Sequence, residues 1–183
     1  VDAVKIGMVN SKENGEIMYE KLLKYKAQNI VLDPVMIATS GSSLIIDETK
    51  DFLVNKLFKI ANIITGDGNG TYNYLPRRTT GTYRSGVYDL KTHTMTTSDY
   101  YTANYDDYKM DGTGLVYVFP TGNATMNGPF NVKKQNFNVH GANGKMNTIS
   151  KDIFANKMEM TSVQGDKISS DVGQGSFERK EFR

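Results

Sequence analysis

The sequence predicts an α+β chain in two parts. An N-terminal βαβαβ parallel α/β fragment occupies residues 1–65 and an all-β antiparallel, jelly-roll-like domain occupies 83–183, with 66–82 as a linker or first strand. Three observations carry that reading. Residues 1–65 hold 3 Gly, 1 Pro and 4 aromatics, whereas residues 66–183 hold 14 Gly, 3 Pro and 15 aromatics. Apolar residues recur at helical spacing between strand-length runs in the first part, and alternate by two in the second. The turn signals DGNG, TGN, MNGP, ANGK and QGDK punctuate the second part.

Each element has its own reason. AVKIGMV is a strand-length apolar run, and Ser11 after it suits the N-cap of a helix with Met18, Leu22 and Tyr25 at i, i+4, i+7. NIVLDPV is short, continuous and β-branched, as in a strand covered on both faces, and Pro34 stops it. Asp47 and Glu48 suit the start of a second helix, Lys56 and Lys59 its end, and Leu53, Leu57 and Ile60 its buried stripe. ANIIT closes the unit as a third strand. Further on, GLVYVF sets Leu115, Tyr117 and Phe119 against Val116 and Val118. NKMEMTS likewise sets Met158 and Met160 against Glu159. Asn143-Gly144 is the best candidate for a tight hairpin. FNV occurs at 130–132 and 137–139, a degenerate repeat at most.

Composition excludes several functions. Twenty-two basic against 20 acidic residues, evenly scattered, imply neither nucleic acid nor a polybasic membrane patch. No apolar run approaches the roughly 20 residues of a membrane-spanning helix. The chain opens at Val1 without Met, so a targeting segment upstream stays open. Cysteine is absent, and His93 and His140 lie far apart, so no metal site is expected. The segment DYYTANYDDY, with Tyr100, Tyr101, Tyr105 and Tyr108 beside Asp99, Asp106 and Asp107, suggests a sugar or calcium site. Its acids lack the spacing of a calcium loop, and exposed strand tyrosines are the plainer reading.

Parallel strands present ligands at their C-terminal ends, where Asp33 and the loop Thr39, Ser40, Gly41 would lie. A carboxylate there holds Mg²⁺ or takes a proton, and a Thr-Ser-Gly loop can approach a phosphate. Equally, Asp33 can simply turn the chain before Pro34. The segments VDAVKIGM and NIVLDPVMIATSG resemble the middle of the hydroxymethylpyrimidine/phosphomethylpyrimidine kinases of the ribokinase superfamily, from Val1 to about Thr65. That resemblance implies ATP- and Mg²⁺-dependent phosphorylation of a small-molecule pyrimidine in thiamine biosynthesis. It implies Met8 and Val35 at the pyrimidine and Asp33 near the transferred phosphate and metal. The family's ITPN segment is IITGDGNG here, and its GTGC-like anion hole is missing, so most catalysis should be lost. Gly112-Thr113-Gly114 is the one substitute, and a β-turn fits it better than a phosphate loop.

The second part, over roughly 83–182, resembles the β-jellyroll proteins of lipopolysaccharide transport related to organic-solvent-tolerance protein A. This resemblance implies that Leu115, Tyr117, Phe119, Phe137, Met158 and Met160 contact a lipid A-type lipid; otherwise they fill a packed core. One family is cytoplasmic and the other periplasmic, which leaves localisation open. The alternatives at this stage are an incomplete kinase joined to a β-domain, a lipid-binding envelope protein, or a non-functional chimera. The short α/β sheet also has open edges through which copies could associate.

Overall fold

The computed structural model describes residues 1–183 except Thr39, Gly41, Leu75 and Arg77, with Asn69 described by backbone alone. The protein is mostly strand with few helices, and it divides into two compact units. One comprises residues 1–68 with 87–92, the other 69–86 with 93–183.

In the first unit, β1 (Val4–Ile6), β2 (Ile30–Leu32) and the start of β3 (Ile63–Tyr74) lie parallel in that order. The registers are Val4 to Ile30 and Leu32 to Ile64. Helix α1 (Lys12–Lys24) joins β1 to β2, and the Ser11 hydroxyl caps it by accepting from the Asn14 N–H at 3.3 Å. A second helical stretch joins β2 to β3: α2 (Asp47–Phe52), a π-helical turn (Leu53–Leu57) and α3 (Phe58–Ile60). Ile6, Ile30, Leu32, Leu53 and Leu57 are buried together, so the predicted Leu53–Leu57 stripe packs as expected, with Ile60 at its margin.

Helix α1 differs from expectation by one position. Met18 and Tyr25 are exposed, and the face turned to the core is Gly15, Tyr19 and Leu22. Gly15 is the point of closest approach, since a Cβ there would lie 2.8 Å from the Phe52 ring. Tyr19 meets the same ring edge-on at 6.3 Å between centroids. The contact needs a missing side chain, which apolar periodicity does not register. β3 also outruns its predicted end at Thr65, taking in DGNG as strand.

The second unit is an antiparallel meander. β4 (Thr79–Asp89) precedes β5 (Thr94–Tyr105) and β6 (Tyr108–Val118). Next come β7 (Asn123–Met126), β8 (Phe130–Lys134), β9 (Phe137–Gly141) and β10 (Asn143–Asn147). The meander ends in β11 (Asp152–Ser162), β12 (Lys167–Ser176) and β13 (Glu181–Phe182). β7 and β8 follow one another along β6, as β9 and β10 do along β11, so each pair is one long strand broken in the middle. The breaks align. β5 shifts register between Thr97 and Tyr100, β6 carries Gly114 at φ +68°, β7 and β8 part at Asn127–Pro129, β9 and β10 at Ala142, and β11 carries Lys157 at φ +51°. Together they form a crease across the sheet.

On either side of the crease one face is buried. Met110, Val132, Val139 and Met160 form a cross-strand row on one side, and Tyr117, Ala124, Met146 and Ile153 form a row on the other. At the crease the strands approach so closely that a Cβ on Gly112 would lie 2.6 Å from the Pro129 carbonyl oxygen, and one on Gly144 2.3 Å from that of Phe154. Two sequence readings are corrected here. Asn143-Gly144 lies within β10 and not in a hairpin turn, and Gly112-Thr113-Gly114 lies within β6 and not in a β-turn. Both stretches have turn composition because backbones must touch, the second use of glycine in strands. Two signals do mark hairpins: TGN, where the Gly122 N–H bonds the Val118 carbonyl at 2.9 Å and Gly122 has φ +70°, and QGDK, where the Ser162 N–H bonds the Asp166 carbonyl at 2.9 Å and Gly165 has φ +96°.

Gly112→Ala should therefore cost about 1–3 kcal/mol through overpacking against backbone. Gly7→Ala, with nothing within 4 Å of its Cβ position, should change stability by less than about 0.5 kcal/mol. Urea denaturation of both variants, followed by NMR signals from each unit, checks the difference.

Candidate functional site

The first unit brings three polar side chains to the C-terminal ends of its three strands. Asp33 follows β2 directly, and its N–H donates to the Ile6 carbonyl at 2.8 Å, which extends the β1–β2 ladder by one rung. Its carboxylate is held from both sides. The Thr65 hydroxyl on β3 donates to Oδ1 at 2.6 Å, and the Lys5 ammonium on β1 stands 3.2 Å from Oδ2. The Thr65 hydrogen bond lowers the Asp33 pKa below the ordinary carboxylate range; partial burial opposes it and Lys5 reinforces it. A carboxylate so held is a weak base, suited to holding charge and not to abstracting a proton.

Sequence reading found Asp33 but not its two partners. Asp33 is one residue beyond Leu32 and Thr65 one beyond Ile64, and Leu32 and Ile64 are paired, so the two polar residues are neighbours on adjacent strands. Lys5 lies within the segment VDAVKIGM.

Met8 and Val35 sit in the loops after β1 and β2, at the same end of the sheet as Asp33, and are 49% and 44% exposed. The loop from β2 to α2 folds back on itself through the Ile37–Ser43 bridge and the Ala38 N–H to Ser42 carbonyl bond at 2.8 Å. Ser40 is exposed in that reversal, its hydroxyl 3.4 Å from that of Ser42. Thr39 and Gly41, the other members of the expected phosphate loop, lie outside the described residues. Ser40 does not open a helix. α2 begins only at Asp47, and its first turn carries Asp47 and Glu48, which oppose an anion.

At these strand ends the described residues offer a magnesium ion the Asp33 carboxylate. Among the described residues there is no group of three or more His, Cys, Asp or Glu side chains that could hold a metal ion. Asp33 is a single carboxylate already paired with Lys5, whereas Mg²⁺ needs octahedral oxygen ligands, normally one or two carboxylates completed by phosphate and water.

In the second unit, Leu115, Tyr117, Phe119, Met158 and Met160 are buried, and Phe137 sits partly exposed with its ring 6.1 Å from that of Phe182. The tyrosine-and-acid segment is the β5–β6 hairpin. Asp106 at its turn faces Lys151 at 3.5 Å, Asp107 faces Lys134 at 3.8 Å, and Lys134 donates to the buried Tyr108 hydroxyl at 2.7 Å. Two of its three acids thus serve as ion-pair partners, and Asp99 accepts from the Ser85 hydroxyl. His140 is exposed, with Nδ1 3.1 Å from the Asn131 side-chain oxygen.

Residues 1–73 match the family model described as phosphomethylpyrimidine kinase, eight residues further than the resemblance read from the sequence. The hydroxymethylpyrimidine/phosphomethylpyrimidine kinase of Aquifex aeolicus is 43% identical over 65 residues, which are 36% of this chain and 26% of the relative. That of Staphylococcus aureus (strain Mu50) is 35% identical over 63 residues, 34% of this chain and 23% of the relative. A thiamine biosynthesis bifunctional protein of Geobacter sulfurreducens is 38% identical over 65 residues, 36% of this chain and 13% of the relative. The chain thus spans about a quarter of the length, or less, of the curated relatives it matches.

Because Asp33 titrates lower folded than unfolded, its contribution to stability is present above the unfolded carboxylate pKa of about 3.9 and is lost as pH falls through the folded value. Thr65→Val removes the largest cause of that depression. The Asp33 carboxyl resonance, followed by ¹³C NMR, should then titrate at higher pH than in the unaltered chain.

Proposed function

We propose that the first unit is the pyrimidine-facing segment of a phosphomethylpyrimidine kinase-type site, and that this chain alone does not complete the phosphoryl transfer. The observation that carries the reading is Asp33, held by Thr65 and Lys5 at the ends of three parallel strands, within the residues that match the kinase model. Apolar Met8 and Val35 beside it suit the flat face of a pyrimidine. ATP and Mg²⁺ are what the family's reaction would require.

Phosphoryl transfer is positioning plus charge stabilisation. A lone anionic Asp33 repels a nucleotide phosphate unless a cation bridges the two, and one carboxylate paired to Lys5 binds such a cation poorly. The expected outcome with Mg-ATP and hydroxymethylpyrimidine is therefore weak binding without turnover. Binding should perturb the Met8 and Val35 methyl resonances, and Asp33→Ala should change that perturbation. Turnover of the purified chain above the uncatalysed rate would contradict incompleteness, and no methyl shift at saturating pyrimidine would contradict the pyrimidine reading.

A second reading concerns the second unit, favoured by the two sequestered apolar rows that flank its crease. We propose that this interior, in a jelly-roll-like arrangement, admits a lipid A-type acyl chain. A photoreactive side chain at Tyr117 or Met158 should crosslink lipid A more than one at the surface residue Ser150, and equal yields would refute it.

A further inference from the structure

We infer that the solvent side of the second unit carries a binding cleft for an acidic saccharide, centred on Phe154 and Lys145. This inference is independent of the kinase and lipid readings. It concerns the face opposite the buried rows, where β7, β10, β11, β12 and the terminal segment enclose a cleft of about 950 Å³. Strand alternation fixes what lines it. Ile153 and Ala155 are buried, so Phe154 between them projects outward, and it is 40% exposed. Register then places a row across four strands and the residue after β13: Thr125 opposite Lys145, Lys145 opposite Phe154, Phe154 opposite Gln174, and Gln174 joined to Arg183 by reciprocal backbone bonds of 2.7 and 2.9 Å.

Charge on this row is uneven. Arg179 at the cleft wall lies between Asp152 at 3.2 Å and Glu181 at 3.4 Å, a triad that carries one excess negative charge. Lys145 has no ion pair among the described residues. The Arg183 guanidinium finds the Gln174 amide, whose oxygen turned toward it accepts at 2.9 and 3.1 Å, so its partner is neutral. Two cations without an ion pair among the described residues thus stand three strand spacings apart, about 14 Å, with the exposed Phe154 ring between them. A ring face for stacking, flanked by charge and by hydroxyl- and amide-bearing neighbours, fits a sugar that carries carboxylates or sulfates along its length. Single-stranded nucleic acid fits less well, since its sites use successive aromatic platforms and this row has one.

The test uses the full chain and calorimetric titration with hexamers of galacturonate and of chondroitin sulfate, against maltohexaose and a dT hexamer. At least one acidic saccharide should bind, more weakly as salt rises. Lys145→Glu and Phe154→Ala should each weaken it about tenfold. Both residues lie on the solvent face, so urea midpoints should stay put; Lys145→Gln should fall between, and Lys91→Glu in the first unit should have no effect. The proposal is overturned if neither acidic saccharide binds at millimolar concentration, if maltohexaose or dT binds as tightly, or if either cleft variant moves Kd by less than about threefold.

Discussion

The constraint on which the second unit depends is its crease. Strands of ten to twelve residues paired in a simple meander would give a twisted ribbon with both faces open to water, and half of their alternating apolar residues would gain nothing from folding. Breaking each strand at the same rung bends the sheet, so that one set of alternate side chains is buried on both sides of the bend. The cost falls on local conformation, with Lys157 in the left-handed region and glycines where backbones touch. Every other feature of the unit follows from which face this bend encloses, including the exposure of Phe154.

The same crease explains what could be read from the sequence and what could not. Alternation around Leu115, Tyr117 and Phe119 and around Met158 and Met160 was legible because burial on one face of a strand repeats every second residue. The turns were legible only in part, because glycine marks both reversals and close approaches, and only geometry separates them. Asn143-Gly144 and QGDK look alike in composition, yet one continues a strand and the other ends it. Helix α1 repeats the lesson. Gly15 makes the tightest contact on its buried face, and a search for apolar side chains passes over it.

In the first unit the legible part was the carboxylate and the missing part was its setting. Asp33 at the end of a strand before Pro34 admits either a turn or a site. Thr65 and Lys5 shift the balance toward a site, because a turn aspartate needs no side-chain partners from two other strands. Their effect on acidity also selects among chemistries. By stabilising the anion they make Asp33 a weaker base than an ordinary aspartate and favour electrostatic roles.

The two units differ in what they leave exposed. The parallel unit has its polar residues preorganised but its apolar ones exposed: Met8, Val35, Ile37, Leu44 and Ile46 all stand in water around the strand ends. A unit of about 70 residues buries only about 60% of its unfolded surface, so it has little stability to spend on such exposure. The β unit reverses the pattern, with its apolar residues sequestered and its unpaired charges outside. Recognition through pre-placed charge and one exposed ring would need no further element, whereas phosphoryl transfer rests on positioning and charge stabilisation, toward which the described residues at these strand ends offer the Asp33 carboxylate. The kinase-like unit thus brings position and one held carboxylate, and the β unit brings an enclosed apolar face with charge outside it.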